Sequence, residues 1–424
     1  MTLEALRYAL LGVSAYRNIV EEPLMKEVSA LLETVSGGRG GEALERYANV
    51  FYRLRQEGYE TLGGWLHDKL RYEDGPYPRL VERGGVDQVL TEAAERDVEV
   101  LCQLSGLSGG LILSRIGSLL PPEAATVPAK LPRWSGGVPF DFASLTEFYR
   151  RSGAGLFARN RAFLWEDGAL RPVADPDCTG GEELIGYERQ RERVIANTRA
   201  MMEGNLVNNV LLYGDPGTGK SVTVKSLLTV PGFEDLRLIE VRKEELGELH
   251  DLIPSLAGRR HKFILFIDDL AFDQDDRTYS VLKTILEGGL ERRPANVAVY
   301  ATSNRRHLVR QTFSDRAGDE VDRTETIAEK TSLSERFGLR IPYLAVGKPE
   351  FLDMVERMAD LYGVTMDRDT LRAEAVKFEM HHPGRTPRTA RQFLASLSMC
   401  PAAPHFERSA PFGASKRFGR SPKP

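Results

Sequence analysis

Cysteine is almost absent from this sequence. Cys102, Cys178 and Cys400 are the only three in 424 residues, and no two form a C-x-x-C pair. That excludes a zinc ribbon or a dithiol redox motif and fits a reducing compartment, where isolated thiols stay inert. Long apolar runs are missing as well. The richest, LSGLSGGLILSRIGSLL at 104–120, contains Arg115 and falls short of the ~20 residues that span a bilayer. It reads as a core helix, and no membrane partner is expected. The opening MTLEALRYALLGV carries Glu4 and Arg7 and lacks the basic, apolar and small-residue zones of a signal peptide, so a cytoplasmic protein is the expectation. Charge of one sign is not in excess: a net charge of −4 gives no global positive field for nucleic acid. No internal repeat of fixed period is visible.

What is present is ordinary globular material, 42% hydrophobic and 28% charged, in a chain long enough for two or three domains. Residues 1–120 place apolar side chains at helical spacing in LEALRYALLGVSAY, IVEEPLMKEVSALLETV and EALERYANVFYRLRQEGY, with SGGRGG at 36–41 as a break. This predicts a mostly α-helical N-terminal region. It carries no chemical constellation, so partner docking and plain domain support both stay open as its role. Residues 121–180 begin rich in Pro and Gly and read as a linker or strap. A short helix near Phe142–Arg150 and a hairpin in AFLWEDGALRPV, turning at Asp167–Gly168, are expected within it. From 181 to 348, the apolar runs NNVLLYG, LRLIEV, KFILFIDDL and NVAVYATSN alternate with helical segments. Strands without in–out alternation predict a parallel sheet covered on both faces, an α/β fold with an αβα core. Three helical patterns over 349–398 predict a small lid. The Pro-, Ser- and Gly-rich tail 399–424 is expected to be disordered.

The segment GDPGTGKS, Gly214 to Ser221, satisfies G-x-x-x-x-G-K-[ST] and lies between an apolar strand and a helix, the context the motif requires. Gly214, Asp215, Pro216, Gly217, Thr218, Gly219, Lys220, Ser221 and Val222 are thus candidate nucleotide-binding residues. Glycines let backbone N–H groups curl around phosphate oxygens where a side chain would obstruct. Lys220 would neutralise the β- and γ-phosphates of ATP, and the Ser221 hydroxyl would be a Mg2+ ligand. Downstream, KFILFIDDL ends an apolar strand in two carboxylates. Asp268 would face the metal, and Asp269 would orient or deprotonate the attacking water. Paired acids can merely cap the next segment; a phosphate loop upstream argues against that. Strand NVAVYATS ends in Asn304, an amide able to hold that water or sense the γ-phosphate, and of Arg305 and Arg306 after it at least one reads as a solvated basic turn. Arg336 in SLSERFGL and Arg388 in GRTPRTARQF stand far from the loop in sequence. An isolated arginine is usually a surface charge. With the other motifs present, Arg336 reads as a finger reaching a neighbouring subunit's γ-phosphate, and Arg388 as a contact to the phosphates in cis.

This order of motifs resembles that of the AAA+ ATPases. The wording GYERQRERVIANTRAMMEGNLVNNVLLYGDPGTGKS, FIDDLAF, LKTILEGGLERRPANVAVYATSNRRHL and EKTSLSERFGL resembles, more narrowly, a bacterial family filed as domain of unknown function 815. The likeness covers roughly residues 180–398, with a weaker echo in AFLWEDGALRPV. It implies an αβα core with a helical lid that binds ATP. It also implies that Ile185 and Gly186 sit beside the adenine, that Asn304 is sensor 1, Arg336 the arginine finger and Arg388 sensor 2. A homo-oligomer, a ring or partial ring with nucleotide at subunit interfaces, follows from the same likeness.

Two departures bear on the activity. Most AAA+ motors end the acidic strand in Asp-Glu, whereas this chain has Asp268-Asp269, one methylene shorter. That ending is similar to replication initiators, which use ATP as a switch. Threading members of the superfamily carry an aromatic pore residue after the second core strand; RKEELGELHDLIPSLAG here has none. The expected function is therefore an ATPase that drives or switches a remodelling or loading activity on an unknown protein or nucleic-acid target. A slow DNA-binding loader and a non-hydrolysing ATP scaffold are the alternatives. The tail residues Arg408, Lys416, Arg417, Arg420 and Lys423, with Phe412 and Phe418 among them, could contact nucleic acid or remain without a partner.

Overall fold

The computed structural model describes residues 2–137, 139–178, 184–272, 277–287, 294–304, 333–382 and 384–397. Arg305, Arg306, Cys400 and the whole of the expected tail at 399–424 lie outside them. The chain divides into two units, Met1–Arg159 and Asn160–Pro424. The 121–180 stretch, expected as one linker, is shared between them: its first part packs with the helices before it and its hairpin joins the sheet that follows.

The first unit is helical because its apolar residues recur on one face of each segment. Helix Pro23–Ser36 buries Leu24, Met25, Val28, Leu31, Leu32 and Val35 in this way. Starts are fixed by side-chain oxygens that accept otherwise unpaired backbone N–H groups: Thr2, Thr61, Asp87, Ser108 and Asp141 each do so. One such cap corrects a sequence expectation. The 104–120 stretch is not one helix, because Gln88–Ser105 stops at Gly106 and Ser108 starts Gly109–Gly117 at a bend of 68°. No single described helix is long and apolar enough to cross a membrane. The Pro/Gly-rich strap is ordered against these helices. Trp134 stacks on Tyr47 at 4.6 Å and donates its indole N–H to Leu107 O at 2.9 Å. Gly137 passes so close to Gly63 that a Cβ there would come within 2.4 Å of the Gly63 Cα, an approach open only to glycine.

The second unit is built on seven strands: β1 Ala162–Glu166, β2 Ala169–Val173, β3 Val210–Gly214, β4 Leu236–Val241, β5 Lys262–Ile267, β6 Val297–Ser303 and β7 Leu339–Tyr343. Their order is β2-β1-β4-β5-β6-β3-β7, parallel throughout except for the β1–β2 hairpin. Every residue of β6, and all of β5 after Lys262, is buried, which is why these strands show no alternation. Helices Glu188–Met202, Lys220–Ser226, Leu249–Leu256 and Arg277–Glu287 accompany the sheet, and Lys348–Leu361, Arg368–Met380 and Pro387–Leu397 form the expected lid. The α/β fold class read from the sequence is the one observed.

The hairpin does more than extend the sheet. β1 pairs in parallel with β4, and three contacts tie it to the segment after β4. Trp165 donates its indole N–H to Glu248 at 3.0 Å, the Arg242 guanidinium meets Glu166 at 2.7 Å, and the Asp167 N–H reaches Glu245 at 3.3 Å. In place of a free loop, residues 242–256 form a 3-10 turn and a helix pinned to the sheet's edge. Glu248→Ala, which removes the Trp165 acceptor, is expected to speed amide hydrogen exchange across 242–256 about tenfold, as loss of one hydrogen bond to a charged group would. Exchange in the lid helices should stay unchanged. Equal acceleration in both would mean a general loss of stability and no clamp.

Candidate functional site

A cleft of about 390 Å³ opens where the C-terminal ends of β3, β5 and β6 meet the lid. Because β5, β6 and β3 are adjacent, the residues just beyond each strand converge on one point. Ile185, Gly186, Pro216, Gly217, Thr218, Gly219, Lys220, Ser221, Val222, Asp268, Asp269, Asn304 and Arg388 all line it. Gly214 and Asp215 lie beneath as supports. Asp215 turns its carboxylate away to accept the Ala345 N–H at 2.6 Å, while its carbonyl accepts Lys220 Nζ at 2.8 Å and the Thr218 hydroxyl at 2.8 Å.

The loop has the shape of a phosphate cradle. Gly217 holds φ +78°, and a Cβ on it would meet Thr386 Oγ1 and Arg388 Cβ at 3.1 Å, so the lid helix rests directly on the loop. The Arg388 backbone N–H also donates to Gly217 O at 3.2 Å. Lys220 is buried and directs its three protons to Gly214 O at 3.1 Å, Asp215 O at 2.8 Å and Asn304 Oδ1 at 2.9 Å. Burial lowers its pKa, and the carboxylates of Asp215, Asp269 and Asp268 act against that fall.

Opposite the loop, Ser221 Oγ donates to Asp268 Oδ1 at 2.5 Å, and the Thr302 hydroxyl donates to the same oxygen at 2.5 Å. Thr302 Oγ1 in turn accepts the Asp269 N–H at 2.9 Å. That bond fixes a turn in which Asp269 adopts φ +49°, a left-handed conformation that Asp tolerates better than most residues. The turn aims the Asp269 carboxylate at Asn304, whose amide N–H donates to it at 2.7 Å. Lys220, Asn304 and Asp269 therefore form one hydrogen-bonded chain. Among the described residues no group of three or more His, Cys, Asp or Glu side chains could cage a metal. A hydroxyl and a carboxylate side by side suit Mg2+, which keeps water and takes phosphate oxygens for its remaining positions.

The other end of the cleft is aromatic and apolar. Tyr187 stacks on Tyr343 at 5.1 Å and donates its hydroxyl to Leu344 O at 2.6 Å; burial pushes its pKa up. Arg191 donates to Gly186 O at 2.5 Å, and burial lowers its pKa. Glu188 accepts the Gly186 N–H at 3.2 Å and pairs with Arg357 of helix Lys348–Leu361 at 2.9 Å. Tyr187, Arg191, Thr302, Tyr343, Met358 and Arg391 all line the cleft and were not singled out from the sequence. Thr302 and Arg391 left a signal there. One is the polar residue that ends the apolar run of its strand, and the other stands three positions after Arg388 in the same helix. Arg336 is exposed just before β7 and does not line the cleft.

Comparison with known proteins bears on this geometry. Residues 158–399, more than half of the chain, match the model of a family described as a protein of unknown function (DUF815). The Holliday junction branch migration complex subunit RuvB of Parasynechococcus marenigrum is 27% identical over 208 residues, 49% of this chain and 55% of that protein. RuvB of Prochlorococcus marinus is 28% identical over 236 residues, covering 54% and 59%. An uncharacterized MCM-type protein of Methanocaldococcus jannaschii is 29% identical over 200 residues, covering 40% and 28%. The chain thus spans little more than half the length of the branch-migration subunits it matches. Among solved structures, RuvB of Thermotoga maritima aligns over 52% of this chain and 64% of its own, at 18% identity and a TM-score of 0.37. The Aeropyrum pernix Orc1 protein in complex with DNA covers 53% and 61%, at 15% identity and a TM-score of 0.37. By its family match and by the motifs its strand ends bring together, the chain belongs to the DUF815 family of AAA+ P-loop ATPases.

Proposed function

We propose that this chain binds Mg-ATP and hydrolyses it, and that its nucleotide state drives or switches an oligomer's remodelling or loading activity. The observation that carries this reading is the 2.5 Å contact between Ser221 Oγ and Asp268 Oδ1. It joins the phosphate loop to the acidic strand end at the place where a metal-bound triphosphate needs both. Charge supports it. The cleft is lined by Arg191, Lys220, Arg388 and Arg391 against Asp268 and Asp269, an excess of cations that suits the net negative charge of Mg-ATP. Ser221 and Asp268 would hold Mg2+, whose chemistry is to neutralise charge on the phosphate oxygens. Asp269 would orient the attacking water and accept its proton, positioned for that by Asn304. Ile185 and Gly186 would border the base. Arg336, outside its own chain's cleft and exposed, would serve the site of a neighbouring copy.

A switch is favoured over a fast motor by the chain of bonds from Lys220 through Asn304 to Asp269. Lys220 has no fourth proton, so contact with a phosphate means giving up one present partner. Release of Asn304 would free the amide that restrains Asp269. The relatives' name, branch migration complex subunit, adds the second reading. In it, nucleotide state controls affinity for DNA.

Lys220→Ala is expected to weaken ATP binding by roughly 10–100-fold, the loss of charge-assisted hydrogen bonds. Asp269→Asn should keep ATP affinity and lower turnover by about 10²–10⁴-fold. Calorimetric titration beside a phosphate-release assay separates the two; a wild-type protein that binds ATP without turnover would leave only the scaffold reading. Arg336→Ala should spare ATP affinity and cut hydrolysis by about 10³-fold or more, in a wild-type protein whose specific activity rises with concentration. Equal loss of affinity and turnover would place Arg336 in cis or in a structural role. Stimulation of turnover by single-stranded DNA at moderate salt would favour the DNA reading, and no DNA binding would exclude it.

A further inference from the structure

Helix Pro387–Leu397 breaks a local rule at its start. A helix N-terminus favours acids and disfavours cations, yet this one has no acidic residue in its first turn and carries Arg388 there, with Arg391 following at the next turn. Three positions apart, the two lie on the same side of the helix, away from Ala390, Phe393 and Leu394, which are buried in the core. Both line the cleft, and the Arg388 charge presses on Lys220. The other lid arginines are neutralised: Arg357 by Glu188, Arg368 by Asp360, Arg372 by Glu356 and Arg385 by Glu379. Neither guanidinium that faces the cleft has a carboxylate partner among the described residues. Like charges gathered without counter-ions cost stability, and a bound anion repays it.

We infer that Arg391 is a second phosphate-binding residue of the lid, which with Arg388 forms a two-guanidinium clamp on the nucleotide's polyphosphate chain. This deepens the nucleotide reading above and rests on it. Arg388 sits directly over Gly217 of the loop, and Arg391 stands one helical turn further along the same face. Two planar forks can grip a chain of phosphates where one grips a single group. The clamp then favours ligands that carry a polyphosphate over the nucleoside alone.

The test is calorimetric binding of ATP, ADP and adenosine to the full chain, to Arg391→Ala, to Arg391→Lys and to Lys220→Ala. Arg391→Ala should raise the Kd for ATP and for ADP about tenfold or more and leave adenosine unaffected. Arg391→Lys should recover part of the loss, since lysine restores the charge without the fork. The melting temperature of the nucleotide-free Arg391→Ala protein should stay equal, because Arg391 has no carboxylate partner among the described residues to lose. An ATP Kd within twofold of wild type in Arg391→Ala, with Lys220→Ala weakened, would overturn this inference and leave the nucleotide reading standing. A parallel loss for adenosine would make Arg391 structural. A wild-type protein that does not bind ATP would overturn both.

Discussion

The second unit's site depends on one short contact, the Ser221 hydroxyl on the Asp268 carboxylate. It exists because β3 and β5 flank β6 in a parallel sheet, so the loop after β3 and the acid after β5 end on the same edge. Thr302 on the strand between them donates to the same oxygen and fixes the turn that follows. Remove the adjacency and the phosphate loop is only a glycine turn; with it, the hydroxyl, two carboxylates and an amide share one cleft. Lys220 adds tension. It is a buried cation held by two carbonyls and Asn304, an arrangement that satisfies it without ligand and gives way to a better acceptor.

The hairpin before the phosphate loop adds a constraint of a different kind. Trp165, Glu166 and Asp167 hold Glu248, Arg242 and Glu245, so the segment after β4 is clamped at the sheet's edge. That segment also contains no aromatic residue. The three contacts restrain its backbone at the sheet's edge. The outer strand β2 itself is poorly suited to recruit another strand, since Arg171 and Pro172 sit on it exposed.

Much of this was legible in the sequence, and the boundary between legible and hidden is physical. The phosphate loop, the acidic strand end and Asn304 were readable because each depends on a strand running into a turn, a local pattern. The three lid helices were readable by their period. The hairpin was visible as a hairpin, but its pairing with β4, some 70 residues away, is non-local and left no mark in its own residues. The 104–120 stretch misled because its apolar content outweighed a glycine and a serine that stop one helix and start the next. Tyr187 and Arg191 were hidden among residues that look like an ordinary helix start; only the lid folding over them makes them walls of the cleft. Arg391 was readable in principle, from its spacing to Arg388 on one side of the same helix.

If Ser221 and Asp268 together hold a metal-bound triphosphate, Mg2+ must strengthen ATP binding through them. The most direct measurement is the ATP dissociation constant with and without Mg2+, in the wild-type protein and in Asp268→Asn. Tighter binding with Mg2+ in the wild type, and loss of that Mg2+ dependence in the variant, is the result this account requires. ATP affinity indifferent to Mg2+ in the wild type, or equally Mg2+-dependent in both proteins, would contradict it.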